Sequence, residues 1–147
     1  MRLTTKGSYG LRAIVDIAMN SNGKHVTLNS VAQRQNLSAQ YLEQLFSTLK
    51  KAGYIKSIKG SGGGYSLAIA ADKITVAMIL IALEGDVSIV ANVKNRVEDN
   101  NIENSIFSKV WSKIDESMYE VINQVTIKDL VDESQRLEGN NPLMFYI

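Results

Sequence analysis

The chain is 147 residues long and 45% hydrophobic, with no cysteine, one proline and a formal net charge of +1. A chain of this size buries roughly 70% of the surface that it exposes when unfolded, and the lack of cysteine excludes disulfides, thiolate-held metal centres and cysteine nucleophiles. Residues 1–65 carry nine basic and two acidic side chains (net +7), whereas residues 66–147 carry seven and thirteen (net −6). Only the first half is therefore expected to approach a polyanion.

Three helices are predicted in the first third of the chain. Apolar residues at i, i+3, i+4 and i+7 indicate a helix over residues 8–20. Thr27 is the expected N-cap of a short second helix, and Asn36 suits the left-handed turn that follows it. Ser38 is the expected N-cap of a third helix that ends at Ala52. Two helices joined by so short a turn predict a helix-turn-helix.

A β-hairpin with a glycine-rich tip is predicted next. Residues 54–59 and 65–69 are rich in strand-forming residues, and four glycines lie within residues 60–64. One alternative is that the glycines only allow the positive φ angles that a tight hairpin turn requires. Another is a phosphate-binding loop, but such a loop needs a helix directly after it, and an alternating strand follows here. A helix-turn-helix followed by a basic hairpin is the order of a winged helix. The predicted fold class is therefore mainly α with a small β-hairpin wing (α+β).

A long helix is predicted after this domain. An apolar helix over residues 76–84 completes the winged helix-turn-helix domain, residues 1–85, and residues 86–101 are interpreted as a connection. Apolar residues then recur every three or four positions, and about 24 residues of helix span ~36 Å. Such a stripe exceeds what a small winged helix covers, which predicts packing on a second copy, although a ligand pocket around the single tryptophan is an alternative. The expected dimerisation residues are Ile106, Val110, Trp111, Ile114, Met118, Val121 and Ile122.

The predicted third segment, residues 102–147, also contains a short helix and an apolar tail. Thr126 and Asp129 have the spacing of a capping box, which predicts a helix to about Leu137. Glycine, asparagine and proline end this helix, and the last five residues are apolar.

The third helix carries residue types that read DNA. Its first turns are expected to expose Ser38, Gln40, Tyr41 and Gln44, while its leucines face inward. A glutamine amide pairs with adenine, and serine and tyrosine hydroxyls reach base edges or phosphates. A solvated polar face is the alternative, but the helix-turn-helix before it and the wing after it favour DNA. His25 has no second ligand nearby, so no metal site is expected.

Three motifs resemble a known family. They are residues 1–9 (MRLTTKGSY), 38–46 (SAQYLEQLF) and 59–65 (KGSGGGY). In this order they are similar to the winged-helix repressor family that includes the iron–sulfur regulator IscR, the nitric-oxide sensor NsrR and the cysteine-metabolism repressor CymR. The resemblance implies a homodimer in which the long helix crosses its symmetry mate, so that two winged helices bind double-stranded DNA at a palindromic operator.

The resemblance also assigns DNA contacts to the matching positions. Residues of the third helix would lie in the major groove, Lys59 and Gly60 in the minor groove, and the amino-terminal residues near the backbone. Relatives often have arginine in place of Lys59, and lysine cannot form a bidentate fork, so minor-groove readout should be weaker here. The expected DNA-binding residues are Arg2, Thr4, Thr5, Lys6, Tyr9, Ser38, Gln40, Tyr41, Gln44, Lys59, Gly60 and Ser61.

The second half resembles the cysteine-metabolism branch of the family. Cluster-binding members have three cysteines in the region matching residues 86–103, where this chain has none, so no cofactor is expected. The cysteine-metabolism branch also lacks them and shares the closing Met144, Phe145, Tyr146 and Ile147. For that branch the family picture is control by complex formation with cysteine synthase, whose active site accepts tails ending in isoleucine. The resemblance thus implies a repressor of cysteine and sulfur metabolism genes with a partner-binding tail; packing of this tail on the dimer core is the alternative.

The sequence predicts a regulator and not an enzyme, because no nucleophile with a base and no metal-ligand set occurs in it. An adaptor that binds a metabolic enzyme through its tail, with DNA binding secondary, is the alternative function. No run of 18 apolar residues occurs, so no membrane contact and a cytoplasmic location are expected.

Overall fold

The first helix begins earlier than its apolar pattern indicates. A computed structural model describes residues 5–88 and 100–139, and in it α1 spans Thr5–Asn20 where the sequence predicted a start at Ser8. Gly7 and Gly10 are buried, and an added Cβ on Gly10 would lie 2.1 Å from Leu83 Cδ1. Because these inward positions carry no side chain, a search for apolar periodicity does not detect them.

The helix-turn-helix is confirmed with its predicted caps. Helix α2 spans Leu28–Gln35, and the hydroxyl of its N-cap Thr27 accepts a hydrogen bond from the Ser30 amide at 3.1 Å. Asn36 adopts the left-handed conformation with φ 54°. Helix α3 spans Ala39–Lys51 with Ser38 as its N-cap. These signals are local in sequence, and the structure uses each of them as predicted.

The wing is shorter than predicted. Strand β1 (Ile55–Ile58) pairs antiparallel with β2 (Gly64–Leu67), whereas the sequence indicated strands over 54–59 and 65–69. Val26 adds a bridge to Tyr65, with the two amide-to-carbonyl distances at 2.9 and 2.7 Å. A Cβ on Gly64 would lie 2.3 Å from the Val26 carbonyl oxygen, so glycine is required where this third segment joins the hairpin.

Helix α4 spans Val76–Glu84 as predicted. Its N-cap Thr75 accepts from the Met78 amide at 3.2 Å, and Gly85 follows its end with φ 79°. A short 3-10 helix, Ala71–Lys73, precedes this cap. Helix α4 packs against α1 and α3, which places it beneath the helix-turn-helix.

The long helix, α5 (residues 101–124), is present but is not α-helical throughout. It consists of Asn101–Ile106 in α conformation, a π-helical turn at Phe107–Trp111, and Ser112–Gln124 in α conformation. Dihedral angles at both junctions stay in the right-handed helical region, so the helix is continuous. A π turn inserts one extra residue and so rotates the side chains after it relative to those before it. Apolar residues still recur at steps of three and four across the turn, so the sequence pattern does not indicate it.

The last described helix, α6 (Ile127–Gly139), returns to the winged helix and extends slightly beyond the predicted end at Leu137. The capping box is confirmed, because Asp129 accepts from the Thr126 amide at 2.9 Å and its own amide donates to the Thr126 hydroxyl at 3.1 Å. Ile127 is fully buried in the core of the winged helix. The segment boundaries 1–85, 86–101 and 102–147 stay predictions, and the tail 140–147 lies outside the described residues.

One main core joins α1, α2, α3, α4, the base of the wing and the start of α6. Its largest fully buried side chains include Ile14, Ile17, Leu42, Leu45, Phe46, Leu49, Ile79 and Ile127. None of the described helices has the length and apolar character that crossing a membrane requires.

Candidate nucleic-acid interface

Helix α3 presents a polar face opposite a fully buried one. Ser38, Gln40 and Gln44 are exposed, as the sequence predicted, whereas Tyr41, which was also expected to be exposed, is half-buried because its ring packs against Tyr9. The inward face consists of Leu42, Leu45, Phe46 and Leu49. The Ser38 hydroxyl accepts from the Tyr41 amide at 3.3 Å, which leaves its proton free to donate to another group.

The amino-terminal motif lies against α3. The rings of Tyr9 and Tyr41 meet edge to face, with centroids 6.1 Å apart and planes at 87°. The Arg12 guanidinium lies over the Tyr9 ring, 5.3 Å from its centroid. Thr5 and Lys6 are exposed in the first turn of α1. Two of the predicted site segments therefore form one surface; Arg2 and Thr4 lie outside the described residues.

The buried carboxylate of Asp16 on α1 accepts hydrogen bonds from side chains of α2. Asp16 accepts three hydrogen bonds from Arg34, the shortest at 2.7 Å, and one from Gln35 at 2.8 Å. Arg12 donates to the backbone oxygen of Gln35, which continues the network toward Tyr9. The hydrogen bonds to Asp16 raise the pKa of Arg34 above its usual value, although partial burial opposes this. The network ties α1 to α2.

Sequence reasoning missed this network. The net charge of residues 1–65 includes Asp16, one of two acidic residues in that segment, but does not indicate its partner. Its position beside the inward-facing Ala13 and Ile17 on α1 is the signal that could have revealed it. A lone acid near a helix's apolar face in a basic segment is expected to be paired when buried.

The wing tip is exposed and built on glycine. Lys59, Gly60 and Ser61 are all exposed, and Gly60 has φ 99°. The Gly63 amide donates to the Gly60 carbonyl at 3.0 Å and closes the tip. A Cβ on Gly63 would lie 2.2 Å from the Ile58 carbonyl oxygen, which no side chain could tolerate.

Two contacts hold the wing against α3. The ring of Tyr65 lies 4.6 Å from that of Phe46, centroid to centroid. The Lys50 ammonium donates to the Ser57 hydroxyl at 2.7 Å. Lys50 therefore links α3 to β1.

The predicted dimerisation residues lie on α5, where none of the residues 101–124 is buried. Ile114 is 43% and Val121 62% exposed. Ile106 and Val110 are also exposed, while Trp111 and Met118 are half-buried. Ile122 packs within the chain against the cluster of Val76, Leu80 and Val87. Most of the predicted stripe therefore faces outward, away from this chain's own core.

The fold and this surface define a winged helix-turn-helix regulator, and sequence comparison identifies its family. The Rrf2 family model, described as an iron-dependent transcriptional regulator, matches residues 3–133. The chain belongs to this family, which the motifs at its amino terminus, third helix and wing predicted.

Relatives and solved structures agree with this assignment. The chain is 36% identical over 147 residues to the transcriptional regulator CymR of Bacillus subtilis, covering 100% of both chains. The structure of that protein, described as the global cysteine regulator, has a TM-score of 0.78 and 37% identity over 90% of this chain and 98% of the other. The structure of IscR from T. potens also has a TM-score of 0.78, at 35% identity over 99% and 97%.

The family description names iron, but this chain lacks the cysteine side chains that hold an iron–sulfur cluster. The chain has no cysteine and one histidine. Within residues 5–88 and 100–139, no three His, Asp or Glu side chains come together in a group that could hold a metal ion. These residues do not fit an iron or iron–sulfur centre.

Proposed function

We propose that this protein is a sequence-specific DNA-binding transcriptional repressor that acts as a homodimer. The observation that carries the proposal is the outward face of α3, with Ser38, Gln40 and Gln44 exposed above a fully buried apolar face. This arrangement is the one with which a recognition helix enters the major groove.

The proposed contacts divide into reading and anchoring. Gln40 and Gln44 read base edges, because a glutamine amide can donate to and accept from adenine at once. Lys6 and the tyrosine pair anchor the phosphate backbone beside α3. Lys59 at the wing tip enters the minor groove as a point charge. Its charge is attracted by the phosphate backbone and by the negative potential of a narrow groove, but it cannot make the bidentate contact of an arginine.

The homodimer forms through α5 in this proposal. Its exposed Val110, Ile114 and Val121 make an apolar strip on a helix of ~36 Å, and burying it removes apolar surface from water. A two-fold axis through α5 would present two recognition helices to a palindromic operator. Half-sites about 34–36 Å apart place both helices in successive major grooves on one face of DNA.

The regulated genes are proposed to be those of cysteine and sulfur metabolism, with no cysteine-held iron–sulfur cluster. Support comes from the full-length similarity to CymR and from the absence of cysteine. Cysteine synthase is the proposed protein partner, recruited by the apolar residues 144–147. The tail sequence and the resemblance support this partner.

The decisive experiment measures binding of the full chain to random duplex DNA over a range of salt concentrations, by fluorescence anisotropy. Phosphate contacts make log K fall linearly with log salt, with a slope of about −0.9 per phosphate contacted. Genomic immunoprecipitation then supplies operators, which should bind roughly 10³-fold or more tighter than random duplex. No affinity for duplex at low salt would refute DNA binding and leave the adaptor function.

A further inference from the structure

A polar pocket lies at the base of the wing, on the side away from α3. We name it the wing-base pocket; it is lined by Ser21, Gly23, Lys24, His25, Lys56, Ser66 and Leu67 and has a volume of about 340 Å³. The turn that follows α1 forms one wall, and the hairpin forms the other.

Strand alternation determines which way this pocket faces. Successive side chains of a strand point to opposite faces. Ile55 is buried and Ser57 accepts from Lys50 of α3, so Lys56 lies on the opposite face of β1. Ser66 is the cross-strand partner of Lys56 and shares that face. A duplex lying on α3 therefore meets the other side of the hairpin.

Two polar atoms in this pocket lack hydrogen-bond partners. His25 Nδ1 and Ser66 Oγ are both buried, and neither has a partner among the described residues. Buried polar atoms in native proteins are almost always paired with protein, water or a ligand. Both groups are able to donate a hydrogen bond, the histidine as its Nδ1–H tautomer. Two of the residues that line the pocket therefore each carry a buried polar group that is able to donate and has no partner among the described residues.

The charges around the pocket identify the acceptor. Lys24 and Lys56 are exposed at its edge, and neither forms an ion pair within the part of the chain that the structure describes. No aspartate or glutamate lines the pocket. Two ammonium groups together with the O–H and N–H donors of Ser66 and His25 supply positive charge and hydrogen-bond donors, the set that charge-assisted binding of an oxyanion requires.

We propose that the wing-base pocket binds a free oxyanion of the phosphate or sulfate type, alone or as part of a small molecule. The oxyanion accepts from Ser66 and His25, and the two lysines neutralise its charge. This site is separate from the DNA surface, so its failure would leave the proposed repressor function untouched.

The single histidine of the chain makes the test direct. The imidazole signals of His25 are followed by NMR while inorganic phosphate is added at constant pH and ionic strength, with chloride as the balancing ion. We expect a saturable shift in the full chain. Ser66→Ala and Lys56→Gln should each weaken phosphate binding roughly tenfold, the effect of losing one charge-assisted hydrogen bond. Lys73→Gln, which removes an exposed lysine outside the pocket, should leave it unchanged.

Three results would overturn the proposal. The first is a shift that chloride reproduces or that does not saturate. The second is phosphate binding that survives both pocket substitutions or falls equally in Lys73→Gln. The third is a His25 response to duplex DNA in phosphate-free buffer with none to phosphate, which would assign the pocket to the DNA backbone instead.

Discussion

Removing the guanidinium of Arg34 should destabilise the protein by an amount that the structure sets. In Arg34→Ala the carboxylate of Asp16, whose side chain is 2% exposed, keeps the 2.8 Å hydrogen bond from Gln35 but loses three from the guanidinium. Breaking a buried ion pair from one side costs about 3–5 kcal/mol. Because Arg34 is itself 39% exposed, water can replace part of the lost interaction. We therefore expect a loss of about 2–3 kcal/mol.

Urea unfolding followed by circular dichroism measures this loss. With a slope of about 2 kcal/mol per molar, the midpoint should fall by about 1–1.5 M, and Tm by roughly 4–12 °C. The raised pKa of Arg34 means that its contribution is fully present below the usual arginine value and is lost only above it, so the result should not depend on pH between 6 and about 9.

Two controls make the test specific. Gln33→Ala changes an exposed neighbour on α2 and should stay within about 0.5 kcal/mol of the parent. The double variant Asp16→Leu with Arg34→Met replaces both charges by apolar groups and should recover most of the stability, because an unpaired charge is then no longer buried. A loss below about 0.5 kcal/mol in Arg34→Ala, or no recovery in the double variant, would refute the reasoning.

Four further predictions concern binding, assembly and pH. In anisotropy titrations Gln44→Ala should cost about 1–3 kcal/mol on the preferred duplex and relax base preference, whereas Lys6→Ala should weaken all duplexes alike and lower the salt slope by about 1; the reverse pattern would exchange their roles. Ile114→Lys should give monomers in sedimentation velocity, since it places charge in the apolar strip, and an intact dimer would contradict the α5 interface. Hydrogen bonds from Thr126 lower the pKa of Asp129. The stabilising effect of this carboxylate is therefore present above the ordinary aspartate pKa and is lost as pH falls below about 4. Asp129→Asn should be less stable than the parent at pH 7, and a difference in stability that persists in acid would refute this. Deleting residues 144–147 should abolish cysteine synthase binding in a pull-down while the dimer stays intact, and a monomeric product would show that the tail is structural.

Local chemistry made the helix-turn-helix predictable. Thr27, Asn36 and Ser38 each act within a few residues of their own position, as a cap or a left-handed turn, so their neighbours in sequence decide their conformation. The face of α3 follows from the same short range, because residues three and four apart share a helical face. Family motifs then identified which of these exposed residues to associate with DNA.

Features that depend on backbone geometry were partly hidden. Gly7 and Gly10 extend the buried face of α1 without apolar side chains, so the helix starts earlier than its pattern indicates. The π turn at Phe107–Trp111 changes the spacing within α5 while the apolar residues still recur at steps of three and four. Periodicity reports side chains and is therefore insensitive to both effects.

The order of elements and the exposed face of α3 were determined by the sequence itself, because both arise from interactions between near neighbours in the chain. Tertiary structure alone decided which distant residues meet. Asp16 and Arg34 are 18 positions apart, and the wing-base pocket joins the turn after α1 to the hairpin. Such contacts depend on how the helices and wing pack around Phe46 and its neighbours, and packing of the whole core is a property that no local pattern contains.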